Sequence, residues 1–364
     1  MIEFWRAGGS EASASMETAR KIEAEGWDGQ KFMDSQCLTG DPYARMAVWA
    51  IATERLKLSA GVTNPLTRHV AVTAAAAATI QAISGGRAVL GIGRGDSALA
   101  YLGYAPARLP AFGKALHNLQ SLLSGGTVAF GGDSLGADAK SLDTLSLGGR
   151  PTAASLKWLP KDLPKVPLDV AATGPKVIEM SAPIAERVTF SVGAIPDRIR
   201  WAIDLANAAR RKAGLSEKGI SYGAQIVLVC HTDDAVMREY ATRFVTPLAR
   251  FQVIQGPAVG PMNANDKANF DVIRRGYDMT KHSDRHANDK IIGASLTWDF
   301  VERFAIVGRP EHCIERLLEL VALGIERFSI TGPSYYPEPT ADGSTLFARE
   351  VIPAVRAAAK VEGT

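Results

Sequence analysis

Two periods alternate along this chain. Short apolar runs rich in Val, Ile, Leu and Phe read as buried strands near 1–5, 27–33, 56–62, 87–92, 166–172, 187–192, 220–229 and 327–330. Between them, apolar residues recur at helical spacing. A helix is expected from Ser10 and Glu11 to about Glu25, where Gly26 can terminate it. A second runs from Asp41-Pro42 to about Glu54, with Ala44, Ala47, Val48 and Ile51 on one face. Further helices are expected over 70–84, 116–123, 177–185, 196–213, 310–323 and 346–359, with Asp233-Asp234 capping another. Eight strands alternating with helices match an α/β fold of the (β/α)8 TIM type better than a six-stranded open sheet. The whole of 1–364 reads as one barrel, interrupted by irregular insertions near 125–165 and 252–300. Within the second insertion, the polar run 284–289 is expected to face solvent.

The strand ends carry residues unusual for scaffold alone. The second strand leaves through Asp34-Ser35-Gln36-Cys37, the third through Gly61, Val62, Thr63, Asn64 and Pro65, and the fourth through Gly93, Arg94, Gly95, Asp96 and Ser97. The fifth leaves through Thr173-Gly174-Pro175-Lys176. Parallel α/β folds bind ligands at the carboxyl ends of their strands, so these exits are the candidate site. The run GIGRGD at 91–96 is not a dinucleotide fingerprint, because Asp96 stands where the third glycine belongs and no acid follows about 20 residues on. Two readings of Asp96 stay open: a helix cap, or a carboxylate beside a ligand. Thr173–Lys176 is either an ordinary proline-started helix or a phosphate site made of free helix amides, a hydroxyl and a lysine.

Composition narrows the function classes. With 46% hydrophobic and 22% charged residues in 364, the chain can bury a large core. A net charge of +3, spread without blocks, gives no nucleic-acid footprint. No apolar run is long enough for a membrane helix. Cys37, Cys230 and Cys313 have no paired spacing, which points to a reduced, cytoplasmic setting without disulfides or a cysteine-rich zinc site. The six histidines, at 69, 117, 231, 282, 286 and 312, form no HExxH, so no metal is expected. The absence of GxSxG disfavours a serine hydrolase.

The stretches TNPLTRH at 63–69 and SGGRAVLGIGRGDS at 84–97 resemble the bacterial luciferase-like superfamily of flavin- and coenzyme F420-dependent oxidoreductases. The branch it most resembles is that of methylenetetrahydromethanopterin reductase. WDGQKFMDSQ at 27–36, the segment 171–194 and the segment 304–330 extend the likeness over nearly the whole barrel. The resemblance implies a TIM-type barrel that assembles as a homo-oligomer, a dimer or tetramer. It implies a non-prolyl cis peptide at Gly61-Val62, a bulge behind the cofactor ring that leads into Thr63 and Asn64. It places Asp34 as an acid near the ring and Asp96 as a proton donor, with Gly93, Arg94 and Gly95 at the ring edge. Thr173, Gly174 and Pro175 fall on the phosphate loop, with Lys176 beside it, expected across the barrel from the ring. The implied cofactor is F420 in preference to FMN, serving hydride transfer to or from a small organic substrate. An FMN-dependent monooxygenase is the alternative on the same barrel, and a non-catalytic ligand-binding or partner barrel is the alternative of another class. Ser35 stands where sugar-phosphate dehydrogenases of the superfamily carry a catalytic histidine, which disfavours that substrate.

Overall fold

The computed structural model describes residues 1–8, 14–130, 139–282, 284, 288, 292–332 and 345–361. Its strands are β1 (Glu3–Ala7), β2 (Gly29–Phe32), β3 (Lys57–Ala60), β4 (Ala88–Ile92), the two-residue pair β5 (Val128–Ala129) and β6 (Ala153–Ala154), β7 (Leu168–Ala172), β8 (Arg187–Phe190), β9 (Ser221–Cys230), β10 (Ile306–Gly308) and β11 (Arg327–Thr331). Eight of them close a parallel barrel in the order β1-β2-β3-β4-β7-β8-β9-β11, with β11 returning to β1. All eight expected strands are these eight. β5 and β6 pair only with each other, and β10 adds to the far half of β9, with Ile306 opposite Leu228.

The helices are α1 (Met16–Ala24), α2 (Pro42–Ala52), α3 (Val70–Ile83), α4 (Ser97–Ala100), α5 (Leu109–Leu123), α6 (Pro175–Ser181), α7 (Pro196–Lys212), α8 (Asp234–Ala249), α9 (Ala264–Gly276), α10 (Trp298–Phe304), α11 (Pro310–Ala322) and α12 (Ile352–Val361). Alternation within each strand decides what is packed where. Phe4, Phe32, Leu58, Leu90, Val170, Phe190, Ile226 and Phe328 point outward and are buried beneath the helices. A second apolar cluster, centred on Phe244, Phe270, Phe300 and Phe304, holds α8, α9 and α10 against the far half of β9.

Several expectations change. The helix expected from Ser10 and Glu11 begins at Met16, with Ser15 accepting from the Thr18 amide; residues 9–13 lie outside the described ones. Ala44, Ala47, Val48 and Ile51 do not form the buried face of α2. Tyr43, Met46, Trp49 and Ala50 do, because the large Trp49 packs edge-on to Phe32 at 5.1 Å, and Ile51 is left 74% exposed. The expected 116–123 helix starts earlier, at Leu109, and the second insertion contains α9, opened by a reciprocal Asn263–Asp266 capping box. In the run 284–289, Asp284 is exposed but Asn288 is buried, exchanging hydrogen bonds with the Asp278 backbone; the other residues of that run lie outside the described ones.

Candidate active site at four consecutive strand exits

The candidate residues fall on the exits of β2, β3, β4 and β7, which are neighbours in the barrel. β7 lies beside β4 because the intervening β5 and β6 do not enter the barrel, so Thr173–Lys176 borders the β4 exit and does not sit across from it. The expected placement across the barrel is corrected by this strand order. A single arc carries the whole set.

At its centre the β3–β4 ladder continues beyond both strands. The Thr63 amide donates to the Gly91 carbonyl at 3.0 Å and the Gly93 amide to the Thr63 carbonyl at 2.9 Å. Just before it, the Gly61–Val62 peptide is cis. Gly61 has no room for a side chain, since a Cβ there would lie 2.6 Å from Lys31 Cβ. Packing also accounts for Gly93, whose Cβ would press Val62 Cγ2 at 3.1 Å, and for Gly95, at φ +87° against Leu99. Gly174 differs: nothing lies within 4 Å of where its side chain would be. Of these glycines it is the one that leaves open space for a ligand.

The β2 exit is held by an arginine absent from the sequence reading. Arg68, in the loop after β3, reaches Asp34 Oδ2 at 2.5 Å and Asp41 Oδ2 at 2.6 Å, and its guanidinium lies 5.2 Å over the Tyr43 ring. Burial works against its charge, but Asp34 and Asp41 offset this and raise its pKa. Asp41 also caps α2 through its other oxygen. Tyr43 Oη and Thr63 Oγ1 are buried without geometrical hydrogen-bond partners, though close enough to influence each other; burial first, then Asp34, pushes the phenol pKa up. The Asn64 side chain is occupied by its own turn, accepting from the Leu66 and Thr67 amides.

At the β4 exit, Asp96 starts α4 but its side chain caps nothing. Its Oδ2 instead pairs with Arg250 Nη2, from the end of α8, and its Oδ1 is buried without a partner. Burial lowers the Arg250 pKa. The segment after α8 is therefore tied across the site. Arg94 Nη1 donates to Gln255 Oε1 at 2.8 Å, and Tyr101 Oη to the Met279 carbonyl at 3.2 Å. On the other side, Gln252 donates to the Ser191 carbonyl beyond β8 and accepts from the fully buried Arg198 at 2.6 Å. Residues 250–262 thus form a strap between the β4 and β8 exits. Arg250, Gln252 and Arg198 carried no local signal, because single polar residues in a helix or an irregular segment look like surface residues.

At the β7 exit, Gly174 precedes α6 without a side-chain cap, Pro175 occupies the first turn, and Lys176 is exposed. The buried hydroxyl of Thr63, the unpartnered Asp96 oxygen and the open side of Gly174 fit a flat polar ring with an anionic tail. Among the described residues no group of three or more His, Cys, Asp or Glu could hold a metal, and none of the three cysteines is in a disulfide. No helix among them is long and apolar enough to cross a membrane.

Comparison with known proteins agrees with this architecture. The chain is 26% identical over 320 residues to a 5,10-methylenetetrahydromethanopterin reductase of Methanolobus tindarius, covering 86% of this chain and 89% of that one. The structure superposes on the coenzyme F420-dependent tetrahydromethanopterin reductase of Methanopyrus kandleri with a TM-score of 0.70, at 21% identity over 97% of this chain and 99% of that one. It superposes on an F420-dependent secondary alcohol dehydrogenase, solved with an F420-acetone adduct, with a TM-score of 0.71, at 18% identity over 98% and 99%. Residues 4–327 match the luciferase-like monooxygenase family, and the chain belongs to it.

Proposed function

We propose that this protein is an oxidoreductase that binds a flavin-type ring at the β2–β3–β4–β7 exits, with F420 preferred over FMN, and exchanges hydride with a small organic substrate. One observation carries the reading: every candidate residue lies on four neighbouring strand exits, where one extended ligand can touch them all. The F420-dependent relatives favour F420. When bound, the ring supplies two-electron hydride chemistry.

The residues of this chain would place and shield that ring. Gly61, Val62 and Gly93 offer a wall with little side-chain bulk, and Arg94 and Gly95 border its edge. The Thr63 hydroxyl can hydrogen-bond to ring polar atoms. Thr173, Gly174, Pro175 and Lys176 would hold the phosphate, with backbone amides and one ammonium charge. Asp34 and Asp96 each face a guanidinium, and an ion-paired carboxylate accepts hydrogen bonds and does not donate them. Their first role is then to fix Arg68 and the strap, and to orient donors on the ring or substrate; passing a proton would require the arginine to move.

A homo-oligomer is part of this reading. Exposed Ala44 and Ile51 on α2 and exposed Val72 on the packed neighbour α3, flanked by half-buried Ala47, Val48, Ala75 and Ala76, make an apolar patch suited to a second copy. Soluble residence in the cytoplasm is consistent with three cysteines that form no disulfide.

Titration of purified protein with F420 and FMN separately, followed by quenching of ligand fluorescence, tests the function. Saturable binding of F420, tighter than FMN, is expected. A tighter FMN complex that consumes oxygen when reduced would favour the monooxygenase alternative, and binding of neither would favour a non-catalytic barrel.

A further inference from the structure

The barrel interior below the site is charged. Lys31 on β2, Asp169 on β7, Thr189 on β8 and Arg327 on β11 come from strands that are mostly not neighbours, so their side chains meet inside the barrel. Lys31 Nζ lies 3.3 Å from Asp169 Oδ2, Arg327 Nη1 lies 3.1 Å from the same oxygen, and the Thr189 hydroxyl donates to Asp169 Oδ1 at 2.7 Å. Toward the strand starts, Glu3 takes Arg187 at 2.8 Å and Lys57 at 2.5 Å. Lys57 is 39% exposed and screened by solvent. Among the described residues the other three cations, Lys31, Arg187 and Arg327, pair only with Asp169 and Glu3, leaving a positive excess in a low-dielectric interior.

That excess is not cancelled from above, because Asp34 and Asp96 are each committed to an arginine of their own. Burial pushes the Lys31 pKa down; Asp169 opposes this, while Arg327 and Arg187 add to it. Lys31 is also the cation nearest a strand exit. It is the third of four residues in β2, and its stem fills the space where a Gly61 side chain would stand. A negative charge arriving on the Gly61–Val62 wall would relieve the repulsion among these cations.

We propose that Lys31, backed by Arg327 and Arg187, forms a positive floor under the ring site and favours the ring in its negatively charged state. Lys31 is thereby a positioning residue for the ring's electronic state. The inference rests on the ring-binding reading above. FMN shows the balance: the neutral oxidised ring takes up two electrons and one proton and becomes a ring anion, which the floor stabilises. For F420 the same charge favours ionisation of the ring hydroxyl.

The test compares wild type with Lys31→Met, Lys31→Arg and Arg187→Met. With FMN at neutral pH, the ratio of the Kd values for the oxidised and reduced forms is measured. Lys31→Met is expected to weaken reduced FMN about tenfold more than oxidised FMN, which corresponds to about 30 mV in the two-electron potential. Lys31→Arg should keep the ratio, and Arg187→Met, farther from the exits, should move it in the same direction by less. If F420 is the ring that binds, its visible absorbance should show the hydroxyl ionising about tenfold less readily in Lys31→Met. Equal weakening of both forms, or an unchanged F420 ionisation, would assign Lys31 a purely structural role and overturn the proposal. If Lys31→Met fails to fold, an unchanged ratio in Arg187→Met overturns it. Wild type that binds neither ring would refute the ring reading itself, and the floor with it.

Discussion

Arg250, at the end of α8, presents its guanidinium to the carboxylate of Asp96, 154 residues earlier in the chain at the exit of β4. The pair closes the strap over the site, and both partners are largely removed from water. Removing one partner leaves the other charge buried and uncompensated. Arg250→Met is therefore expected to destabilise the protein by about 3 kcal/mol in urea denaturation. The Asp96→Asn, Arg250→Met double variant should lose clearly less than the sum of the singles. Strict additivity would show that the pair is not formed.

Gly61 and Gly174 should separate packing from ligand binding. Gly61→Ala places a methyl 2.6 Å from Lys31 Cβ and is expected to cost about 1–3 kcal/mol of stability. Gly174→Ala meets nothing within 4 Å, so its thermal midpoint should stay at the wild-type value while ring affinity falls about tenfold, the added methyl occupying the ligand's space. Loss of stability without loss of affinity in Gly174→Ala would contradict the phosphate-loop assignment.

The barrel was legible because most of its buried parallel strands write short apolar runs between helical periods, although β2, GQKF, is mostly polar. The exits were legible because Gly, Asp and Thr interrupt those runs at fixed places. What local pattern could not show was the company each residue keeps. Asp34 and Asp96 read as available acids, and the arginines that occupy them come from a loop and from the end of a distant helix. The outward turn of Ile51 was hidden for a related reason: α2 is apolar on several faces, and the bulk of Trp49 against Phe32 decides which one is buried. Position across the barrel was misjudged because nothing in 125–165 reveals that β5 and β6 stay outside it.

Acid should destabilise the protein in two steps. Burial first, then Arg250, lowers the His282 pKa from 6.5 to about 3. Between those values the unfolded chain binds a proton that the folded chain refuses, so stability is full above pH 6.5 and falls as pH drops toward 3. Glu3 titrates lower: burial raises its pKa, but Arg187 and Lys57 bring it to about 2, from 4.5. Its contribution is present above pH 4.5 and is lost as pH falls through 2. Thermal unfolding of His282→Gln should lack the upper step, roughly 3 kcal/mol by pH 4.5, and keep the lower one. An identical profile in both proteins would count against a half-buried, neutral His282.

The apolar patch on α2 and α3 should be covered in solution. Ile51 is 74% and Val72 55% exposed in the single chain. Ile51→Glu with Val72→Glu is expected to reduce the mass measured by light scattering to that of one chain while leaving the thermal midpoint of the barrel within a few degrees. A wild type that is already monomeric at micromolar concentration would contradict this.

The most direct test of the ring site is a crystal structure of the protein soaked with F420. The ring is expected against Gly61, Val62 and Gly93, under the strap from Arg250, with its phosphate at Thr173–Lys176 beside the β4 exit. A ring bound anywhere else on the barrel, or a phosphate held away from Gly174, would contradict the account.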